Sequence, residues 1–249
     1  MHRFFIPPKE CHNNPLRLSP TEAKHARSVL RLREGDCAVV LNGAGKELLC
    51  QLEKVSNDSV SLNVVQENNI DPLPFEITLY QAVAKGKAMD FIVQKAAELG
   101  VHRIVPVLSE RSVPDWDEPK TAAKVDKWRS ICVESIKQCG SAWLPSLELP
   151  MKPNDALVDT RQSDLSLIAT LQPDAKHPRE QIDAYATEHG RAPGKLAIWV
   201  GPEGDYTPAE INTIRTGALP ITLGPLVLRS ETAAIYCLAV LNYELQACH

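Results

Sequence analysis

Two short stretches combine residue types that could hold a ligand on bare main chain. Trp199-Val200-Gly201-Pro202-Glu203-Gly204-Asp205 and Leu223-Gly224-Pro225-Leu226-Val227-Leu228-Arg229-Ser230-Glu231-Thr232 each set Gly and Pro after a strand-like apolar run and before a helix-like one. Glycine permits positive φ and lets a ligand approach backbone N–H and C=O groups closely. Ligands of open α/β sheets sit outside the carboxyl ends of the strands, where such loops gather. One such loop could be an ordinary strand-to-helix turn. Two of them so near in sequence point to a pair of loops facing one ligand.

The flanking elements must position these loops. Leu196-Ala197-Ile198-Trp199-Val200 is apolar throughout, as in a strand covered on both faces. Thr207 stands at an expected N-cap, with Pro208 at the first helical position and Glu210 completing a capping box. In the second stretch Ile221-Thr222-Leu223 ends at Gly224-Pro225, and Ser230-Glu231 opens the apolar run from Ala233 to Leu241.

Upstream, 75–249 alternates strand and helix: strands over 77–84, 104–108 and 165–171, helices over 89–99, 122–139 and 179–188. Alternation of this kind predicts a mostly parallel sheet with helices on both sides. The first 70 or so residues read differently. Ser19-Pro20-Thr21-Glu22 caps a helix that runs to the turn at Glu34-Gly35-Asp36. Short strands over 39–41, 48–55 and 60–64 follow, joined by turns at Asn42-Gly43-Ala44-Gly45 and Ser56-Asn57-Asp58, which predicts a small antiparallel barrel. Residues 68–74 read as a linker, giving domains 1–72 and 73–249.

Composition narrows the function classes. A chain of 249 residues with 44% hydrophobic content can bury a sizeable core. No run approaches the roughly 18 apolar residues of a membrane span, and the first residues lack a signal-peptide pattern, so a cytoplasmic protein is expected. The seven cysteines form no CxxC pair and the seven histidines no helical HxxxH pair, so neither a disulfide framework nor a metal site is expected. Net charge is −4, yet residues 1–33 hold seven basic residues (Arg3, Lys9, Arg17, Lys24, Arg27, Arg31, Arg33) against Glu10 and Glu22. A local basic patch can steer a polyanion regardless of total charge, although a solvated helix face would look the same.

The chain resembles the 16S ribosomal RNA uracil-N3 methyltransferase family of the SPOUT class. The resemblance is carried by Gly201-Pro202-Glu203-Gly204 and by Leu223-Gly224 with Leu228-Arg229-Ser230-Glu231-Thr232-Ala233. It continues through Arg3-Phe4-Phe5, His25 with Val29-Leu30-Arg31, Lys85-Gly86 with Gln94-Lys95, Glu98-Leu99-Gly100, Ser109-Glu110-Arg111 and Gln138 with Gly140. It implies a SPOUT-type trefoil-knotted α/β methyltransferase domain preceded by a small PUA-like β-barrel domain, with the helix over 235–245 threaded through a loop. It also implies S-adenosyl-L-methionine as cofactor, 16S ribosomal RNA or the small ribosomal subunit as partner, and a homodimer.

Under that resemblance the cofactor would be held by Leu171, Val200, Gly201, Pro202, Glu203, Gly204, Leu223, Gly224, Leu228, Arg229, Ser230 and Thr232, with Leu171 and Leu228 against the adenine. Uracil N3 carries a proton, so a base or a cation that stabilises the anion is required. Arg229 could supply charge, and Glu231 could act as base or orient Arg229 through an ion pair. Either could instead form a plain helix-start salt bridge. Arg3, Arg27, Arg31 and Arg33 would contact phosphates, and His25 could contact RNA or pack inside. Asp205 stands where the family commonly has a second Gly, and Leu226 where it has a basic residue. Lys137, Ser141 and Trp143 replace a Glu and two frequent Arg positions. A non-catalytic RNA-binding or ribosome-assembly protein with the same fold, and a methyltransferase for another RNA position, are the competing readings.

Overall fold

In the computed structural model, which describes residues 1–13, 15–56, 59–112 and 117–248, the chain forms two compact units. The first comprises 1–72 with 133–144, the second 73–132 with 145–249. Residues 133–144 thus pack with the N-terminal segment, although they lie far beyond it in sequence.

The first unit is built on a mixed five-stranded sheet of β1 (His2–Phe5), β2 (Leu16–Arg17), β3 (Cys37–Leu41), β4 (Lys46–Val55) and β5 (Val60–Asn69), in the order β1-β3-β4-β5-β2. β3–β4 and β4–β5 are antiparallel hairpin pairs, whereas β1 pairs in parallel with β3. The expected purely antiparallel arrangement is therefore corrected at one edge: the chain passes through β2 and α1 (Pro20–Lys24) before β3, a crossover long enough for parallel pairing. β5 also runs on to Asn69, through the start of the expected linker. The hairpin turn at 42–45 is tied by Asn42 Oδ1, which accepts from the N–H groups of Ala44 (2.7 Å) and Lys46 (2.9 Å). The expected turn at Asn57-Asp58 lies outside the described residues. Alternation along the strands sends Phe4, Val40, Cys50, Leu52 and Leu62 into one core with Ala23 and Ala26 of the helical segment.

The second unit is a six-stranded, wholly parallel sheet. Its strands are β6 (Glu76–Ala82), β7 (Arg103–Val107), β8 (Ser146–Leu147), β9 (Leu165–Ala169), β10 (Lys195–Val200) and β11 (Leu219–Ile221), ordered β11-β9-β10-β6-β7-β8. The helices are α2 (Lys87–Glu98), α3 (Glu118–Cys139, of which residues from Val133 on belong to the first unit), α4 (Pro153–Asp159), α5 (Pro178–His189), α6 (Pro208–Ile214) and α7 (Ser230–Cys248). Residues Leu196 to Val200 are all buried, as a strand covered on both faces requires. Tyr80, Ala197 and Trp199 share a cluster with Ala156 of α4 and with Ile211 and Ile214 of α6. Tyr80 and Trp199, register partners on β6 and β10, stack with ring centroids 4.7 Å apart. The alternate residues Leu79 and Ile198 turn to the other face, and α7 packs on β6, β10, α2 and α5.

Asp164, at the start of β9, fixes the entry to β10. Its carboxylate accepts from Gly194 N–H (2.8 Å), Lys195 N–H (2.9 Å) and Arg191 Nη2 (2.9 Å). The Arg191 hydrogen bond, aided by the two N–H groups and opposed by partial burial, lowers its pKa to about 2. A lowered carboxylate pKa stabilises the fold above the unfolded value near 4, and that contribution disappears as pH falls towards the folded value. Stability should therefore drop between about pH 4 and pH 2, and Asp164→Asn should flatten that part of the profile. Because the group is largely solvent-screened, the cost of the substitution at pH 7, read by chemical denaturation, should be about 1 kcal/mol.

Candidate active site

The carboxyl ends of the neighbouring strands β9, β10 and β11 open into one cleft, lined by apolar side chains and main chain as small-molecule sites are. Ala169, Thr170 and Leu171 line it from β9, Val200 to Glu203 and Asp205 from the loop after β10, and Leu223, Gly224, Leu226 to Leu228, Ser230 and Ala233 from the segment entering α7. The two Gly-Pro loops thus face one cavity. Of the residues expected from sequence to bind a ligand, Leu171, Val200, Gly201, Pro202, Glu203, Leu223, Gly224, Leu228 and Ser230 are in the lining, while Gly204, Arg229 and Thr232 stand beside it. Thr170 lines the cleft without having been expected there, while Asp205, Leu226 and Val227 do so as parts of the two stretches whose main chain was expected to hold a ligand. For Thr170 the signal in the sequence is its place beside Leu171.

The first loop is held from several sides. Thr207 caps α6, and Glu210 closes the capping box as expected. Glu210 is buried, and its second oxygen accepts from Glu110 N–H at 2.9 Å, which binds the loop after β7 to the start of α6. Lys85 N–H donates to Glu203 Oε1 at 3.1 Å, and the Arg111 guanidinium donates to the Gly204 carbonyl. Tyr206, fully buried, reaches back to the Val200 carbonyl at 3.2 Å. The Lys85-Gly86 and Ser109-Glu110-Arg111 motifs therefore supply anchors for this loop.

Of the two purposes expected for glycine, positive φ and close approach of a ligand, the first is not the one served in the loop after β10. Neither Gly201 nor Gly204 adopts a left-handed φ; in this loop Asp205 does, at 59°. Gly201 is required by space, since a Cβ there would lie 2.8 Å from Asp205 Oδ1 and 3.3 Å from Tyr206 N. In the second loop Gly224 does take positive φ, 103°, and its surroundings are open.

Ser230 joins the two loops. Its buried hydroxyl donates to the Gly201 carbonyl at 2.6 Å and accepts from Gln81 Nε2 at 3.0 Å. The cleft wall is otherwise mainly apolar, with Leu171, Leu226 and Val227 63%, 72% and 79% exposed at its mouth. Thr170 is buried at the cleft, and its hydroxyl has no hydrogen-bond partner within the chain. Apolar walls with an unsatisfied hydroxyl and close backbone fit a flat heteroaromatic group bearing polar edges. Arg229 is exposed and Glu231 half-buried at the start of α7. The ion pair considered between them does not form; among the described residues neither has an ion-pair partner within 4.0 Å.

In the first unit, His25, Arg31 and Arg33 are exposed and Arg27 is half-buried, along a segment that leaves α1 through a π-helical turn at His25–Val29. Arg31 sits at φ 57°, unusual for a residue with a side chain. Arg3 has a structural engagement: its guanidinium donates to the carbonyls of Lys137 (3.3 Å) and Gln138 (3.2 Å), covering the last turn of α3. The residues that depart from the family pattern nearby are also engaged. Lys137 binds Glu22 (2.8 Å) and Glu134 (2.9 Å); burial depresses its pKa, but the hydrogen bonds to both carboxylates outweigh this and raise it. Ser141 Oγ donates to the Trp143 carbonyl, and Trp143 Nε1 donates to Ile70 O at 3.0 Å. Among the described residues no group of three or more His, Cys, Asp or Glu could hold a metal, and no helix is long and apolar enough to cross a membrane.

Residues 71–242 match the family model of the RNA methyltransferase domain, and residues 18–65 match that of the RNA methyltransferase PUA domain. The ribosomal RNA small subunit methyltransferase E of Bacillus subtilis is 29% identical over 98% of this chain and 97% of its own. A Legionella pneumophila protein solved in complex with the bound cofactor SAM superposes with a TM-score of 0.86 at 32% identity, covering 97% of this chain and 96% of its own. The ribosomal RNA small subunit methyltransferase E of Neisseria gonorrhoeae, bound to S-adenosyl methionine, gives 0.84 at 27% identity over 98% and 97%. With its cleft at the strand ends and its family match over most of its length, the chain belongs to the RNA methyltransferase family, as a methyltransferase domain preceded by a PUA domain.

Proposed function

We propose that the protein is an S-adenosylmethionine-dependent methyltransferase that modifies N3 of a uridine in 16S ribosomal RNA of the small ribosomal subunit. The observation that carries this reading is the convergence of two Gly-Pro loops, tied by Ser230, on a cleft in a fold whose full-length relatives bind S-adenosylmethionine. Leu171, Leu226 and Leu228 enclose the adenine, the backbone of 201–204 and 223–229 meets its polar edges, and Thr170 offers its unsatisfied hydroxyl. Bound S-adenosylmethionine supplies an electrophilic methyl group on a sulfonium centre.

The residues of the chain then have to prepare the nucleophile. Arg229, exposed beside the cleft and without an acidic partner among the described residues, stabilises the negative charge that develops on uracil when N3 loses its proton. Glu231, two residues further on, accepts that proton. In the first unit Arg27, Arg31, Arg33 and His25 hold the RNA through its phosphates, Arg3 contributing to the same end of the molecule mainly through its hold on α3. A SPOUT-type trefoil knot accounts for the way the chain returns from edge strand β11 to start α7 beside β10 and β6. The family resemblance carries the homodimer, and seven free thiols support a cytoplasmic location.

Calorimetry should find S-adenosylmethionine binding to the wild-type protein; no binding at millimolar concentration would favour a non-catalytic RNA-binding protein instead. Gly201→Val should push the loop away from Asp205 and weaken that binding at least about tenfold, about 1.4 kcal/mol, and wild-type affinity in the variant would place the cofactor elsewhere. Arg31→Gly should leave stability within about 1 kcal/mol, since glycine relieves the left-handed backbone, while lowering the salt slope of RNA binding by about 0.7. An unchanged slope would remove Arg31 from the RNA surface. Mass spectrometry of ribosomal RNA from a strain lacking the gene should show loss of N3-methyluridine from 16S RNA, and an unchanged content would rule out that target.

A further inference from the structure

The charges lining the cleft are all of one sign. Glu203 and Asp205 are the charged side chains in the lining, and both are acidic. Glu203 is engaged with Lys85 N–H at 3.1 Å. The Asp205 carboxylate lies against the Cα of Gly201, with Oδ1 accepting from Tyr206 N–H at 2.7 Å and occupying the space a Gly201 side chain would need. The nearest counter-charge, Arg111, is spent on the Gly204 carbonyl and makes no ion pair with Asp205. Burial raises the Asp205 carboxyl above its ordinary range, more than Tyr206 N–H and Arg111 lower it, so its charge is under-compensated in the free protein. A cation in the cleft would offset that cost.

S-adenosylmethionine and the S-adenosylhomocysteine left after methyl transfer differ in this respect. The donor carries a sulfonium cation, and the product carries a neutral thioether at the same atom. Resting on the methyltransferase reading above, we propose that Asp205 is a specificity-determining residue that makes the cleft prefer the cationic donor over the neutral product. Apolar walls strengthen such a preference, because a charge is felt more strongly where water is partly excluded. A carboxylate at this position also eases product departure, since the attraction that helps to hold the donor is missing once the sulfur is neutral. The position requires a residue that tolerates φ 59°; Gly would meet that need but bring no charge.

Asp205→Asn tests the charge alone. Asparagine keeps the size, tolerates the left-handed backbone and can accept from Tyr206 N–H through its amide oxygen. Calorimetric titration of wild type and variant with S-adenosylmethionine, S-adenosylhomocysteine and an analogue bearing an ammonium group in place of the sulfonium should separate the outcomes. The variant should bind the two cationic ligands about three- to tenfold more weakly and S-adenosylhomocysteine within about twofold of wild type. Asp205→Gly should shift the donor-to-product ratio in the same direction, and raised salt should shrink the wild-type preference. Equal weakening of all three ligands in both variants would make Asp205 a loop-shaping residue and overturn the proposal, as would an unchanged ratio. Failure of wild type to bind any of the three would instead overturn the methyltransferase reading on which the proposal rests.

Discussion

One buried hydroxyl sets the geometry of the cleft. Ser230 Oγ stands between the end of β10 and the side chain of Gln81 on β6, donating to one and accepting from the other. Buried polar groups must be paired, and a hydroxyl with both its roles filled has a defined orientation. Because Ser230 is also the first residue of α7, the same contact fixes where that helix starts and hence where the segment 223–229 must run. The second loop has few other ties: Gly224 N–H to Thr222 Oγ1 at 3.2 Å closes its own turn. Its alignment with the first loop therefore depends on this hydroxyl.

The first loop is by contrast held by many small contributions from the segments that follow β6 and β7. Each hydrogen bond of this kind is worth about 1 kcal/mol net, more where a charge takes part. Glu210 shows why the arrangement is cooperative. Its two oxygens serve the cap of α6 and the N–H of Glu110 together, so the carboxylate is buried without being left unsatisfied. A similar economy operates in the first unit. The Lys137 ammonium bridges Glu22 and Glu134, and the guanidinium of Arg3 covers carbonyls that the end of α3 would leave without donors.

Much of this was legible in the sequence, for identifiable reasons. The continuous apolar run before Gly201 marked a doubly covered strand, and Thr207-Pro208 with Glu210 marked the helix that follows; both signals are local, and both elements formed. What local signals could not carry was spatial. The short strand β8 and the helix α4 have too few residues to show a period, and β11 forms over Leu219–Ile221, two residues before the strand-like run read at 221–223. The parallel pairing of β1 with β3 and the packing of 133–144 with the first unit depend on contacts distant in sequence. Composition also misled at one point. Arg3 was counted with the basic patch because charge can be summed along a chain, whereas its guanidinium is turned onto carbonyls more than 130 residues away. Likewise glycine at 201 suggested an unusual backbone, and the structure instead shows a shortage of room, with the unusual backbone falling on Asp205.

The placement of Ser230 has a consequence for biosynthesis. Strands β6, β9 and β10 leave the ribosome well before α7, so the nascent chain can build most of its parallel sheet while the two loops are still unconnected. The contact that joins them becomes available only once the start of the final helix has emerged and docked against Gln81. A polypeptide interrupted before that point would carry a nearly complete scaffold with no working pocket, and vectorial synthesis thereby delays ligand capture until the late stages of folding.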